Sequence, residues 1–417
     1  MQHYTLIGPI TQLLPMTGLN LSGALQDSEL IVLENAGLLI RNGIVYNWGP
    51  YQDMLNLAND LKAEHKILRK QHICLPGFID AHTHSCFAGS RARDYALRNS
   101  GKSYLEIAEA GGGIWDTVSQ TRKASFETLE NSLISRCNHF LEQGITTLEV
   151  KSGYGLSVAE ELKMLRVIKS ASNKVVQDIV PTCLAAHMLP KDFEGNATDY
   201  LNHIQEMLFP VLKSEKLTNR IDAFIEKSAF TANQIAPYFK AAKEMGFELT
   251  VHADQFSTGG SSAAILWGAK SADHLEASQE PEISALAKSN VTAVALPGAS
   301  LGLGCSFTPA RALLDAGACL AIASDYNPGS APMGDLLAQA AILGTMEKLS
   351  NAEIIAGISI RAAHALGLED RGSLKIGNIA DLVLFQTEHY NEILYHQGSL
   401  KPFSVWKSGK CMYQKNT

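Results

Sequence analysis

Apolar and polar positions change rhythm twice along this chain of 417 residues. Up to about residue 70 the apolar residues come in short runs: Leu30-Ile31-Val32-Leu33, Gly37-Leu38-Leu39-Ile40 and Ile44-Val45-Tyr46. The last two flank the turn Arg41-Asn42-Gly43, and an Asn-Gly pair between apolar runs marks a tight hairpin. The C-terminal end repeats the style, with Leu382-Val383-Leu384-Phe385, then Ser404-Val405-Trp406, a turn at Lys407-Ser408-Gly409-Lys410, and Cys411-Met412-Tyr413. Strand-rich ends around a long middle predict one small sheet domain built from both termini.

In the middle, strand-like apolar runs alternate with helical patterns. Eight runs qualify: Gly77 to Ala81, Ile145 to Val150, Ile179 to Ala185, Ile221 to Ile225, Leu249 to Ala253, Ser271 to Leu275, Thr292 to Leu296 and Cys319 to Ser324. Helical segments such as Ala159 to Ser170, Ala232 to Met245 and Ala331 to Leu343 separate several of them, as repeated β-α units require. A parallel (β/α)8 barrel is the arrangement predicted, spanning 73–371, with 1–72 and 372–417 forming the sheet domain. Chemistry in such a barrel sits at the C-terminal strand ends, where His82, His84, His187, His252, His274 and Asp325 fall.

The run Pro76-Gly77-Phe78-Ile79-Asp80-Ala81-His82-Thr83-His84-Ser85 sets two histidines two residues apart at the end of an apolar strand. Strand alternation puts both imidazoles on one face, where they can share a cation. His252 and Asp325 each end another barrel strand. Three neutral imidazoles and one carboxylate around a divalent ion leave room for a water whose pKa falls toward about 7. Asp325 can take a proton from that water and deliver it to a leaving nitrogen. His274 either approaches the same water or hydrogen-bonds backbone, and local sequence leaves both open.

Composition narrows the partners. With 46% hydrophobic residues, 18% charged and a net charge of −7, the chain has material for a core and lacks the Lys/Arg cluster that tracks nucleic acid. No basic leader precedes an apolar stretch, and no apolar run approaches the roughly 20 residues that span a bilayer, so a soluble cytoplasmic protein is expected. Cys74, Cys86, Cys137, Cys183, Cys305, Cys319 and Cys411 are scattered without a Cys-x-x-Cys pair, which argues against a disulfide framework or a structural zinc site. Cys86, close to the His-x-His motif, reads as a packed thiol. Gly111-Gly112-Gly113 lacks the Gly-Lys-Ser/Thr continuation of a phosphate loop.

Two polar, glycine-containing stretches follow strands where a substrate loop is expected: Lys151-Ser152-Gly153-Tyr154-Gly155 and Asp325-Tyr326-Asn327-Pro328-Gly329-Ser330. Tyr154 and Asn327 offer hydrogen bonds there. Arg91, a few residues past His84, is the obvious candidate cation for an anionic substrate group, because its fork donates two parallel hydrogen bonds to a carboxylate; judged without context, a surface arginine solvated or paired with Asp94 is the commoner case.

These residues resemble the amidohydrolase superfamily and, within it, the imidazolonepropionase family. Asp80-Ala81-His82-Thr83-His84 indicates the superfamily alone. More specific are Phe87 to Arg91, Ala110 to Ile114, Lys151 to Leu156, His252 to Gln255, Ser271 to Glu276 and Asp325 to Gly329. The resemblance implies a (β/α)8 barrel with a small β-sandwich, one zinc or iron ion per subunit, and homodimers. It implies hydrolysis of the ring amide of 4-imidazolone-5-propanoate. It makes His82, His84, His252 and Asp325 the metal ligands, Asp325 the proton carrier and His274 an oxyanion partner. Arg91, Tyr154, His187, Gln255, Asn327, Gly329 and Ser330 match substrate-contacting positions, as does Tyr104 less distinctively. Some family members carry glutamate where this chain has Gln255, and an amide cannot serve as the base proposed for that carboxylate. Lys151 is expected to be structural or part of the substrate loop, not a bridge between two metals. A sister amidohydrolase acting on another cyclic amide or amidine, such as an aromatic-base deaminase, would change these loops. A non-catalytic relative would lose a ligand or the acid-base group, and none of that set is missing.

Overall fold

The computed structural model describes residues 2–102, 106 and 110–415. Among them, sixteen strands form two eight-stranded sheets. In chain order, β1 (Tyr4–Leu13), β2 (Leu33–Arg41), β3 (Ile44–Pro50), β4 (Glu64–Ile67) and β5 (Ile73–Pro76) open the first sheet. The barrel follows as β6 (Phe78–Asp80), β7 (Ile145–Lys151), β8 (Asp178–Ala186), β9 (Arg220–Ile225), β10 (Glu248–Ala253), β11 (Ser271–His274), β12 (Thr292–Ala295) and β13 (Leu320–Ile322). The chain then returns to the first sheet as β14 (Leu382–Phe385), β15 (Ser404–Lys407) and β16 (Lys410–Gln414).

The terminal sheet runs β16-β15-β14-β5-β1-β2-β3, with β4 added beside β1. Its two ends pack on each other through a core that includes Ile7, Ile10, Leu38, Ile40, Val45, Leu382, Leu384 and Trp406. The amide of Val45 donates to the carbonyl of Asn378 (2.8 Å), tying the curl shut. Asn42 and Gly43 take φ of +49° and +83° in the β2–β3 hairpin, the left-handed pair that a two-residue turn demands. β5 pairs antiparallel with β14, so the chain leaves this sheet at Pro76, later than the border at residue 72. Leu30 to Val32 do not extend β2, because Leu30 caps the short turn Asp27–Glu29, whose Asp27 carboxylate accepts the amide of Ala352 (2.9 Å).

The eight barrel strands coincide with the eight apolar runs. They lie side by side in sequence order, parallel throughout. Parallel strands covered by helices on the outside and packed side chains within are buried on both faces, and all seven residues of β7 are buried, which is why such strands read as continuous apolar runs. Between β6 and β13 the barrel closes through backbone just beyond the strand ends: Asp325 donates to the His82 carbonyl (3.1 Å) and His84 to that of Tyr326 (2.9 Å). The helix expected from Ala331 starts only at Leu336, where Asp335 caps it by accepting the Ala338 amide, because Gly334 before it takes φ +60°. Lys407 on β15 reaches Asp178 at the foot of β8 (2.6 Å) and Asp381 (2.6 Å), fastening sheet to barrel. No helix among the described residues is long and apolar enough to cross a membrane.

Candidate metal centre and active site

His82 and His84 follow β6, His252 lies on β10 and Asp325 follows β13, so strands on opposite sides of the barrel deliver them to one mouth. The Nε2 atoms of His82 and His84 stand 3.3 Å apart, as do those of His252 and His84. Asp325 Oδ1 lies 3.5 Å from His82 Nε2 and 3.4 Å from His84 Nε2. None of the four residues is more than 3% exposed.

The outer nitrogens are held by carboxylates. His82 Nδ1 donates to Asp273 Oδ2 (2.6 Å), and His252 Nδ1 lies 3.0 Å from Asp222 Oδ2, at ion-pair distance though outside hydrogen-bond geometry. A proton on each Nδ1 leaves the Nε2 lone pair facing inward. Burial pushes the pKa of His82 and of His84 well below the ordinary value and that of His252 down to about 3, so the rings are neutral. Asp325 Oδ1 has no hydrogen-bond partner. Inward lone pairs beside a buried, unpaired carboxylate oxygen repel one another unless a cation sits between them, and nitrogen-oxygen donors suit a divalent ion of the zinc or iron kind. The chain's residues therefore fit a metal. Adding zinc to metal-free protein at 100 times its Kd is expected to stabilise the fold by about 2.7 kcal/mol, read as a rise in Tm; an unchanged Tm would count against a cation site.

His274 brings its ring to 5.9 Å from that of His82 and 5.4 Å from that of His252. Its carbonyl, not its ring, takes the hydrogen bond from Thr308 Oγ1 (2.5 Å). Burial disfavours the charged imidazole, yet Glu276, with Oε1 3.4 Å from Nδ1, and the more distant Asp325 and Asp273 outweigh it and raise the pKa. For Asp325, burial itself raises the pKa. Both residues take left-handed backbone, φ +89° at His274 and +50° at Asp325, a strain of about 1–3 kcal/mol each that only a rigid surround maintains.

Of the remaining expected site residues, His187 and Tyr154 pack on this cluster. His187 stacks on His84 (5.6 Å between ring centres) and its Nδ1 donates to the Gly153 carbonyl (2.9 Å). Tyr154 is buried with its ring 5.8 Å from that of His84; burial, with Asp325 adding to it, raises its pKa, against the pull of Arg91. Arg91 Nε donates to Asp94 Oδ2 (2.7 Å), which also accepts the Gly113 amide (2.9 Å). The triple-glycine stretch is thus pinned to Arg91 through Asp94. Arg91, Gly329 and Ser330 line a cavity of about 620 Å³ together with Phe87, Arg98 and Tyr326.

Asn327 does not point freely into that space. Its Nδ2 donates to Asp325 Oδ2 (3.0 Å) and Ser330 Oγ (2.9 Å), and its Oδ1 accepts the amides of Gly329 (2.7 Å) and Ser330 (2.8 Å). Its side chain builds the loop and aims Asp325. Gln255 is half-buried just past β10. Tyr104 lies outside the described residues. Cys86 is fully buried, and burial pushes its thiol up to about 12, as a packed, inert sulfur requires.

Sequence reading missed the groups that hold the histidines, Asp222, Asp273 and Glu276, and with them Glu149, which accepts the amide of Thr83 between His82 and His84. Glu161 was missed too, although its carboxylate accepts the amides of Gly153 (3.0 Å), Gly155 (2.8 Å) and Leu156 (2.8 Å) and so anchors the Tyr154 loop. One signal was available: Glu149, Asp222 and Asp273 are charges inside otherwise apolar strands, and an acid is placed there only with a partner.

Comparison with known proteins agrees with this architecture. A model of the amidohydrolase family matches residues 73–412. The imidazolonepropionase of Acinetobacter baumannii is 40% identical over 389 residues, covering 93% of this chain and 96% of that protein. That of Pseudomonas aeruginosa is 39% identical over 396 residues, covering 94% and 98%. The chain belongs to the amidohydrolase family, among the imidazolonepropionases. Solved structures share the fold at lower identity. An atrazine chlorohydrolase from Arthrobacter aurescens, complexed with zinc, superposes with TM-score 0.70 at 15% identity over 98% of this chain and 95% of that one. An adenosine deaminase from Xanthomonas campestris, with bound zinc, gives TM-score 0.70 at 18% identity over 98% and 93%. Amidohydrolase membership accounts for the closed parallel barrel beside a sheet built from both chain ends.

Proposed function

We propose that the chain hydrolyses the ring amide C–N bond of 4-imidazolone-5-propanoate to N-formimidoyl-L-glutamate, the third step of histidine degradation. The observation that carries this reading is the convergence of three neutral imidazoles and one unpaired carboxylate oxygen at the barrel mouth, in a chain 40% identical over 93% of its length to an imidazolonepropionase. His82, His84, His252 and Asp325 would hold one zinc or iron ion per subunit. Such an ion supplies Lewis acidity and lowers the pKa of water toward about 7.

The chain's own residues supply positioning and proton traffic. Arg91 and Tyr154 bind the substrate's polar groups, and His187 and Gln255 complete the walls. Asp325 takes the proton of the attacking water as its oxygen bonds to the ring carbonyl carbon. His274 donates a hydrogen bond to the oxyanion that forms. Asp325 then passes the proton to the ring nitrogen as the C–N bond breaks, so water ends divided between the new carboxylate and the new N–H. Gln255 orients substrate without exchanging protons. The same reading makes the protein a cytoplasmic homodimer acting on a small molecule, with neither nucleic acid nor membrane as partner.

The purified protein is expected to make the ultraviolet absorbance of freshly generated 4-imidazolone-5-propanoate fall far faster than its spontaneous decay. A decay rate equal to the blank overturns the assignment. Gln255→Ala is expected to raise KM about tenfold with kcat nearly unchanged, as loss of a uniform binding contact does; a kcat collapse would return a chemical role to that position.

A further inference from the structure

We propose that Lys151 is a positioning residue for the metal centre, its ammonium holding the carboxylates that aim the rings of His82 and His252. The proposal rests on the metal reading of the site and adds to it a residue outside the ligand set. Lys151 ends β7 and its side chain is 1% exposed. Its Nζ donates to Glu149 Oε1 (2.7 Å) and lies 2.9 Å from Asp222 Oδ2 and 3.9 Å from Asp273 Oδ2.

The oxygens it faces are the ones that hold the rings. Asp222 Oδ2 is also the atom 3.0 Å from His252 Nδ1, and Asp273 Oδ2 is also the acceptor of His82 Nδ1. A third arm reaches the residue between His82 and His84: Glu149 Oε2 accepts the Thr83 amide (3.1 Å), and the Lys151 amide donates to the Thr83 carbonyl (2.9 Å). One cation therefore ties both outer carboxylates and the His-x-His backbone to a single strand end. Three carboxylates gathered without it would repel one another and swing away, taking the imidazoles with them. The ammonium is taken up by these acids, and Lys151 is not among the residues that line the cavity beside Arg91.

The test is cobalt(II) binding, by competition with a chromophoric chelator and by the visible spectrum of the cobalt protein, so that turnover plays no part. Lys151→Met is expected to weaken cobalt affinity about 10- to 100-fold, the usual effect of losing an outer partner of a ligand, and to shift the visible bands. The double variant Lys151→Met with Glu149→Gln relieves the acid excess and leaves in place both carboxylates that face the rings. It is expected to regain part of the lost Tm while affinity stays low. If affinity returns together with Tm, Lys151 only balances charge and the proposal falls. It falls equally if folded Lys151→Met binds cobalt within twofold of the parent with the same spectrum. Should Lys151→Met fail to fold, Lys151→Arg keeps the charge but moves it, and unchanged affinity and bands there would overturn the proposal. A parent protein that binds no cobalt defeats the metal reading itself, a different outcome from any of these.

Discussion

Asp325→Asn is expected to lower kcat by at least about 10³-fold while leaving the Tm of the metal-free protein close to that of the metal-free parent. The substitution is isosteric, and the loop that positions residue 325 is held by Asn327 and by the backbone bond from the Asp325 amide to the His82 carbonyl (3.1 Å). What changes is chemistry. A carboxamide neither takes up nor releases a proton near neutral pH, and loss of a positioned acid-base group costs about 10²–10⁴-fold by itself. The same change removes the one anionic donor among three neutral imidazoles, which weakens the hold on a cation. Steady-state kinetics paired with elemental analysis separates the two contributions. If the variant at full metal loading keeps kcat within tenfold of the parent, Asp325 is not the proton carrier.

Such a prediction draws on residues that sequence placed well and on contacts that it did not. The barrel strands were legible because most of their residues are buried, so that most of the eight read as largely apolar runs between helical patterns. The four converging groups were legible because each ends one of those runs. Their supports were not. The hydrogen bond of His82 to Asp273 joins residues 191 positions apart, and hydrophobic periodicity carries no information about such a pairing. Asn327 shows a second limit. Its type and loop matched a substrate contact, but whether an amide faces a ligand or its own loop depends on backbone conformation, and here both ends of the amide are occupied within residues 325–330. Leu30 to Val32 failed for a local reason of a different kind: the preceding Asp27 bonds to a helix far along the chain, and that tertiary contact overrides strand propensity.

Gly302→Ala is expected to reduce kcat/KM by about 10²-fold and stability by about 1–3 kcal/mol, although residue 302 touches neither the histidine cluster nor any acid-base group. Gly302 lies in the helix Pro297–Leu303, and a Cβ built there falls deep inside contact distance of the Ser330 carbonyl oxygen, with the Ser330 carbonyl carbon at 2.7 Å. Both atoms are backbone, so no side-chain rotation relieves the clash. Overpacking of this kind carries the stability cost stated. The larger effect follows from what Ser330 is attached to. Its amide donates to Asn327 Oδ1 (2.8 Å), and Asn327 Nδ2 donates in turn to Asp325 Oδ2 (3.0 Å). Pushing Ser330 away therefore drags on the carboxylate assigned to proton transfer, and a displacement of about 1 Å in a catalytic group costs about 10²-fold. Gly304→Ala is the control. Gly304 has φ +69° and nothing within 4 Å of an added Cβ, so its alanine variant is expected to lose about 1 kcal/mol through backbone strain with activity nearly intact. Measured Tm and kcat/KM for the two variants decide the matter: equal activities would mean that the loop absorbs the shift before it reaches Asp325.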